Sequence, residues 1–329
     1  MSDGYRLGIA LGGGAARGFF HIGVLKALEE AGIVADCVSG TSVGSLVASI
    51  YAAAVPLDEL VKLSAGVQWG QDVFDMRQTF LNIALSLKDY TTFKTQKSPP
   101  GLFESSKIAD FINRLIENRT FSQIRPLVLS ATDIQTGDKL EFCSPEIAAR
   151  LAAARERPLS IRPELEWEQA YIQKHHVVPF ENVGQAARAS SCFPGVISSV
   201  PMDVPDLSGT VTRRLLNDGG ICEQVPTKAL RALGCRKVLG ILIGYVPQYK
   251  TVENFVKVQL NSVQFVARSM IVESLKLCDY VVYDPRIEEK SMVRMDPALV
   301  TMGYDFTRER LPEIRRALEL DPPAAESVG

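Results

Sequence analysis

The sequence predicts an α/β fold: a three-layer sandwich with a mostly parallel central sheet and helices on both faces. Three observations predict it. Short apolar, β-rich runs alternate with segments of helical periodicity along most of the 329 residues, the order that yields a parallel sheet covered on both sides. A glycine-rich loop, Gly12 to Gly18, joins the first of those runs directly to a helix. A second tight strand-to-helix turn, Gly40-Thr41-Ser42-Val43-Gly44, follows within about one βαβ unit.

Strands are expected at residues 6–11, 35–39, 126–132, 139–143, 211–216, 237–243 and 279–283. Helices are expected at 19–31, 43–54, 57–66, 105–118, 146–154, 183–190, 226–233, 252–276 and 307–319. In the first helix Phe20, Val24, Leu25, Leu28 and Ala31 recur at helical spacing, and Gly32 is a natural stop. The strand over 35–39 and the apolar helix from Val43 flank the second glycine turn. The helix over 252–276 carries apolar groups on more than one face (Phe255, Val258, Val263, Val266, Met270), as a central helix or a self-association surface would. No internal repeat or low-complexity tract appears, and the tail 321–329 is Pro/Ala/Glu-rich and expected to fray.

Composition sets bounds. With 46% apolar and 22% charged residues and a net charge of −2, the chain is that of an ordinary globular protein and makes no electrostatic case for nucleic acid. Six cysteines are scattered without framework or metal-ligand spacing, so buried reduced thiols and a cytoplasmic setting are expected. No signal peptide is expected, because the apolar N-terminal stretch is short, glycine-rich and broken by Arg17. No run approaches the roughly 20 apolar residues of a membrane span. Lipid contact would therefore be peripheral, at the inner membrane face.

Candidate chemistry begins at Ser42. A Gly-x-Ser-x-Gly turn between strand and helix lets Gly40 and Gly44 crowd the backbone while the serine hydroxyl stands exposed. The helix N-terminus behind it favours developing negative charge. Taken alone the pentapeptide also fits a plain Gly/Ser turn. The upstream glycine loop is well placed to present N–H groups to an oxyanion of that serine. A dinucleotide fingerprint fails, because Arg17 stands where a glycine is needed and Asp36 at the wrong end of its strand. No Gly-Lys-Ser/Thr follows, so a P-loop is excluded. The base is not an obvious histidine: His21 falls in the first helix as a satisfied, partly buried side chain, and His175-His176 closes a charged, irregular surface stretch. A carboxylate can serve instead in a dry site, and Asp218 in Asn217-Asp218-Gly219-Gly220 is the best placed. On its own, that tetrapeptide also fits a turn.

With these blocks in order, the chain resembles the patatin-like phospholipases, serine lipid acyl hydrolases that work with a Ser-Asp dyad. The glycine loop Gly12 to Gly18, the elbow Gly40 to Gly44 and the motif Asp218-Gly219-Gly220 carry the resemblance. Ser130 to Gly137 and Ala187 to Gly195 resemble two further family blocks, so the likeness covers residues 6–231. It implies Ser42 as nucleophile and Asp218 as general base. It also implies Gly13, Gly14 and Ala15 as oxyanion donors, with Arg17 bracing the loop or meeting a lipid phosphate. A side chain at Gly14 is then expected to fill the oxyanion space. The implied substrates are phospholipids or lysophospholipids, with no cofactor or metal. An acyltransferase on the same dyad, or a binding module with little turnover, shares these motifs.

The resemblance divides the chain into a catalytic domain over 6–231, an extension over 232–320 that completes the sheet, and the tail. Within the domain, 68–101 is an insert that fits either a lid or acyl-pocket wall or an ordinary packed helix pair. The stretch 150–176 mixes Arg and Glu as a solvated excursion. Self-association would run through the helix over 252–276.

Overall fold

A computed structural model describes residues 4–66, 101–155, 174–244, 268, 270–291, 294 and 296–320. The expected insert over 68–101 (Gly101 apart), the middle of the 150–176 excursion, most of the 252–276 helix and the tail lie outside these residues.

The chain opens with β1 (Leu7–Leu11), buried along its whole length. The 3-10 turn Ala15–Gly18 leads into α1 (Phe19–Glu30), whose Phe20, Val24, Leu25 and Leu28 form a fully buried stripe. Next come β2 (Cys37–Thr41), α2 (Val43–Ala52) and α3 (Leu57–Gly66). They are followed by β3 (Gly101–Phe103), α4 (Ser106–Leu115), β4 (Leu127–Asp133) and β5 (Lys139–Cys143). Then α5 (Pro145–Arg155), β6 (His175–Pro179), α6 (Val183–Ser190) and β7 (Gly195–Ile197) lead to a hairpin of β8 (Val200–Pro205) and β9 (Val211–Asp218). The chain continues through α7 (Thr227–Ala232), β10 (Lys237–Ile241), β11 (Tyr280–Val282), α8 (Ala298–Glu309) and α9 (Leu311–Ala317).

Nine strands form one sheet with the path β11-β10-β1-β2-β4-β5-β6, and the β8–β9 hairpin is attached to it through β4. From β11 to β4 all neighbours are parallel. β5 and β9 both run antiparallel to β4. Alternate residues feed two cores, as the period-2 geometry of a doubly covered sheet requires. Leu7, Ile9, Leu11 and Leu129 pack with α1, α2, α4 and α8. Ala10, Cys37 and Val128 pack on the other face with Ile147 and Leu151 of α5 and Ala229 and Leu230 of α7. The three-layer expectation holds.

Several elements differ from expectation. His175-His176 is not surface loop: it starts β6, half-buried against β5. β8 was hidden by Pro201 and Pro205, residues that usually demote a strand. Yet Val200, Met202 and Val204 alternate inward along it. The helix expected over 307–319 takes in the end of α8 and all of α9, but the earlier part of α8 escaped, because it holds Gly303 and β-branched residues of low helix propensity. That glycine serves packing: a Cβ on it would stand 2.3 Å from the Phe20 carbonyl oxygen of α1. None of the six cysteines is joined in a disulfide, and five of them are buried.

Candidate active site

β4 is the ruler of the site. Along one edge Thr41 of β2 pairs with Ser130, and Asp218 of β9 pairs with the next residue, Ala131. The opposite edge of the same two residues is taken by Glu141 and Leu140 of β5. β2 and β9 therefore meet end to end on one side of β4, and Ser42 and Asp218 stand where they meet.

Ser42 leaves β2 with φ 55° and ψ −131°, a conformation that costs a β-carbon residue on the order of 1–3 kcal/mol. It persists because both neighbouring glycines admit close backbone. A Cβ on Gly44 would lie 2.2 Å from the Leu11 carbonyl oxygen, and one on Gly40 would lie 2.6 Å from that of Gly44. Two residues that the sequence reading gave no role then clamp the elbow. The Ser42 N–H donates to Ser190 Oγ at 3.0 Å, and Ser191 Oγ donates to the Ser42 carbonyl at 3.1 Å. Ser45 Oγ donates to that same carbonyl at 2.6 Å. Ser190 and Ser191 sit in the block from Ala187 to Gly195, so their position was visible although their use was not.

Asp218 is 4% exposed. Its N–H donates to the Cys192 carbonyl at 3.0 Å, and its carbonyl accepts from Thr132 Oγ1 at 2.9 Å. Oδ1 accepts the Gly220 N–H at 2.7 Å. Oδ2 is buried with no formed hydrogen bond. Burial pushes the carboxyl pKa up to about 6, opposed by the Ser42 hydroxyl and the Gly220 N–H. The carboxyl thus keeps one buried oxygen unsatisfied and interacts with the Ser42 hydroxyl, an arrangement in which a carboxylate can take up a proton. Gly219 allows the turn, since a Cβ there would stand 2.1 Å from the Ser130 carbonyl oxygen.

The glycine loop lies over the elbow: a Cβ on Gly13 would be 3.0 Å from Ser42 Cβ. Two expectations for this loop need correction. Gly13 is not an available oxyanion donor, because its N–H donates to the Gln224 carbonyl at 3.0 Å. The N–H groups of Gly14 and Ala15 have no acceptor among the described residues, and Ala15 holds a left-handed φ of 49°. A side chain on Gly14 would not fill oxyanion space either, since its Cβ would strike the Ile243 carbonyl oxygen at 2.7 Å.

Arg17 is 2% exposed. Its guanidinium donates to the carbonyls of Gly244 at 3.2 Å, Glu288 at 3.1 Å and Lys290 at 2.9 Å. It braces the loop from behind, and the alternative of a lipid-phosphate contact is removed by its burial. His21, fully buried, donates from Nε2 to the Gly12 carbonyl at 2.8 Å. Burial lowers its pKa to about 4, so it is a neutral strut of the loop. His175 and His176 lie on β6, and β4 and β5 intervene between that strand and the elbow on β2.

Behind the turn after Asp218 lies a buried ion cluster. Lys139 Nζ bonds Glu141 Oε1 at 2.7 Å and also Glu223, and Arg155 forks onto Glu141. Burial alone would pull the Lys139 ammonium down, but the charges of Glu141 and Glu223 outweigh it and hold it raised. The cluster fixes Glu223, whose carbonyl accepts from Thr41 Oγ1 at 3.0 Å.

A family model for patatin-like phospholipase matches residues 9–231. A Caenorhabditis elegans protein named as containing a patatin-like phospholipase domain is 29% identical over 246 residues, 74% of this chain and 14% of its own length. A lysophospholipase of Aspergillus fumigatus is 38% identical over 130 residues, 37% of this chain and 8% of that protein. The chain thus spans a small part of the length of these relatives. Among solved structures, human GIVD cytosolic phospholipase A2 matches 95% of this chain and 62% of its own at 12% identity, with a TM-score of 0.44.

Proposed function

The chain belongs to the patatin-like phospholipase family, and from that premise we propose that it is a serine lipid acyl hydrolase acting on phospholipids or lysophospholipids through Ser42 and Asp218. The observation that carries the reading is the end-to-end meeting of β2 and β9 on β4, which brings a strained serine to a buried carboxylate with one oxygen unsatisfied. Asp218 accepts the Ser42 hydroxyl proton as Oγ attacks the ester carbonyl. The negative oxygen forms beside the N–H groups of Gly14 and Ala15, where each donor lowers the barrier by a few kcal/mol. Collapse expels the lysolipid or glycerol-phosphate alcohol, which takes the proton from Asp218. Water, deprotonated by Asp218, then releases the fatty acid from Ser42.

No described helix is long and apolar enough to cross a membrane, and the substrate would be met at a lipid surface by peripheral contact. The test pairs a fluorophosphonate probe with release of fatty acid from phosphatidylcholine and lysophosphatidylcholine. The adduct is expected on Ser42. Ser42→Ala and Asp218→Asn should each lose at least 100-fold in turnover, on the scale of removing a nucleophile or base. Labelling elsewhere, or turnover kept in both variants, would sink the assignment.

A further inference from the structure

Gln224 lies in the turn that runs from Asp218 to α7, and it holds the glycine loop by both of its polar groups. Its backbone carbonyl accepts the Gly13 N–H at 3.0 Å, and its side-chain Nε2 donates to the Gly13 carbonyl at 2.7 Å. A carbonyl only accepts, so the amide nitrogen must face it. Glycines make room for this carboxamide: a Cβ on Gly220 would lie 2.5 Å from Gln224 Oε1, and one on Gly244 3.1 Å from Nε2. Gly220 is the residue whose N–H holds Asp218 Oδ1. One side chain therefore spans the loop proposed to bind the oxyanion and the turn that carries the proposed base.

The peptide between Gly13 and Gly14 is planar and trans, so its C=O and N–H point in opposite directions. Tying the Gly13 carbonyl to Gln224 fixes the plane and turns the Gly14 N–H away from Gln224. We propose that Gln224 is a positioning residue that aims the Gly14 N–H at the developing oxyanion and keeps the glycine loop in step with the Asp218 turn. The proposal rests on the reading of Ser42 and Asp218 as a hydrolytic dyad. Without Gln224 Nε2 the peptide would be free to rotate, and the transition state would lose a preorganised donor while substrate binding stayed as it was.

The experiment uses the full-length chain with Gln224→Leu, which removes the donor, and Gln224→Glu, which at pH 8 turns a carboxylate toward the Gly13 carbonyl. Three quantities are measured beside thermal stability. They are the kcat and KM of ester hydrolysis, the affinity for a trifluoromethyl ketone that forms a tetrahedral oxyanion on serine, and the pH midpoint of kcat/KM. Expected in both variants are a 10- to 100-fold fall in kcat with KM within twofold and an equal loss of ketone affinity, and in the uncharged Gln224→Leu an unchanged pH midpoint. Unchanged kcat in a folded variant overturns the proposal. So does a lost kcat in Gln224→Leu accompanied by a shifted pH midpoint, which would place the effect on Asp218 instead. Should one variant melt below assay temperature, the other carries the test. Ser42→Ala run alongside separates the levels: if it retains turnover, the dyad reading itself falls and the role of Gln224 with it.

Discussion

Burial raises the Asp218 carboxyl pKa, which suits the proposed base role and costs the fold stability. With its pKa raised to about 6, the carboxyl is ionised and able to accept the Ser42 proton only above that value. Hydrolysis kcat/KM is expected to climb as pH passes through about 6 and to be lost below it. The stability consequence has the opposite sign. An unfolded aspartate releases its proton near pH 3.9, so between about 4 and 6 the native state binds a proton that the unfolded state does not. Stability then falls as pH rises through that window and stays lower above it, by about 3 kcal/mol. Asp218→Asn should therefore be more stable than wild type by about that amount at pH 8 and nearly equal at pH 4, read from urea midpoints. His21 works the other way. Burial takes it to about 4, below its unfolded value near 6.5. The stability it contributes is complete above pH 6.5 and is lost as pH falls toward 4, and His175, also lowered to about 4 by burial, adds the same trend.

Among the elements, β4 does most to assemble the site, and its sequence shows a family block from Ser130 but not the strands that meet there. What was legible was local: the elbow at Ser42, the glycine loop and Asp218-Gly219-Gly220 each span a few residues whose spacing carries the geometry. The supports were not legible, because their partners are remote in sequence. Ser190 meets Ser42 across 148 positions, and Gln224 meets Gly13 across 211. Lys139 opens β5, a strand the sequence predicts, yet its side chain is 1% exposed. Its carboxylate partners come from two different segments, Glu141 in β5 and Glu223 in the turn after Asp218. Replacing one member of such a cluster leaves charge buried without compensation. Lys139→Met should cost about 3–5 kcal/mol in denaturant unfolding. Since Glu223 orients the turn shared with Gln224, folded molecules of this variant should also hydrolyse more slowly.

For the molecule as a whole, the family match and the working unit have different limits. The match ends at residue 231, but β10 flanks β1 and the acceptors that hold Arg17 lie at Gly244, Glu288 and Lys290. A fragment ending at residue 231 would expose the edge of β1 and release the glycine loop. It is expected to show neither a cooperative thermal transition nor fluorophosphonate labelling, whereas a chain ending at residue 320 should keep both. The end-to-end meeting of β2 and β9 on β4 has one more consequence. A slip of β9 by a single residue would move Asp218 ~3.3 Å and turn its side chain to the opposite face of the sheet. Partial alignment has no geometric meaning here, so each molecule is either competent or silent. Titrating a preparation with a stoichiometric phosphonate then becomes a census of correctly threaded chains: mutations in the β8–β9 hairpin should lower the number of molecules that label while each labelled molecule turns over at the wild-type rate.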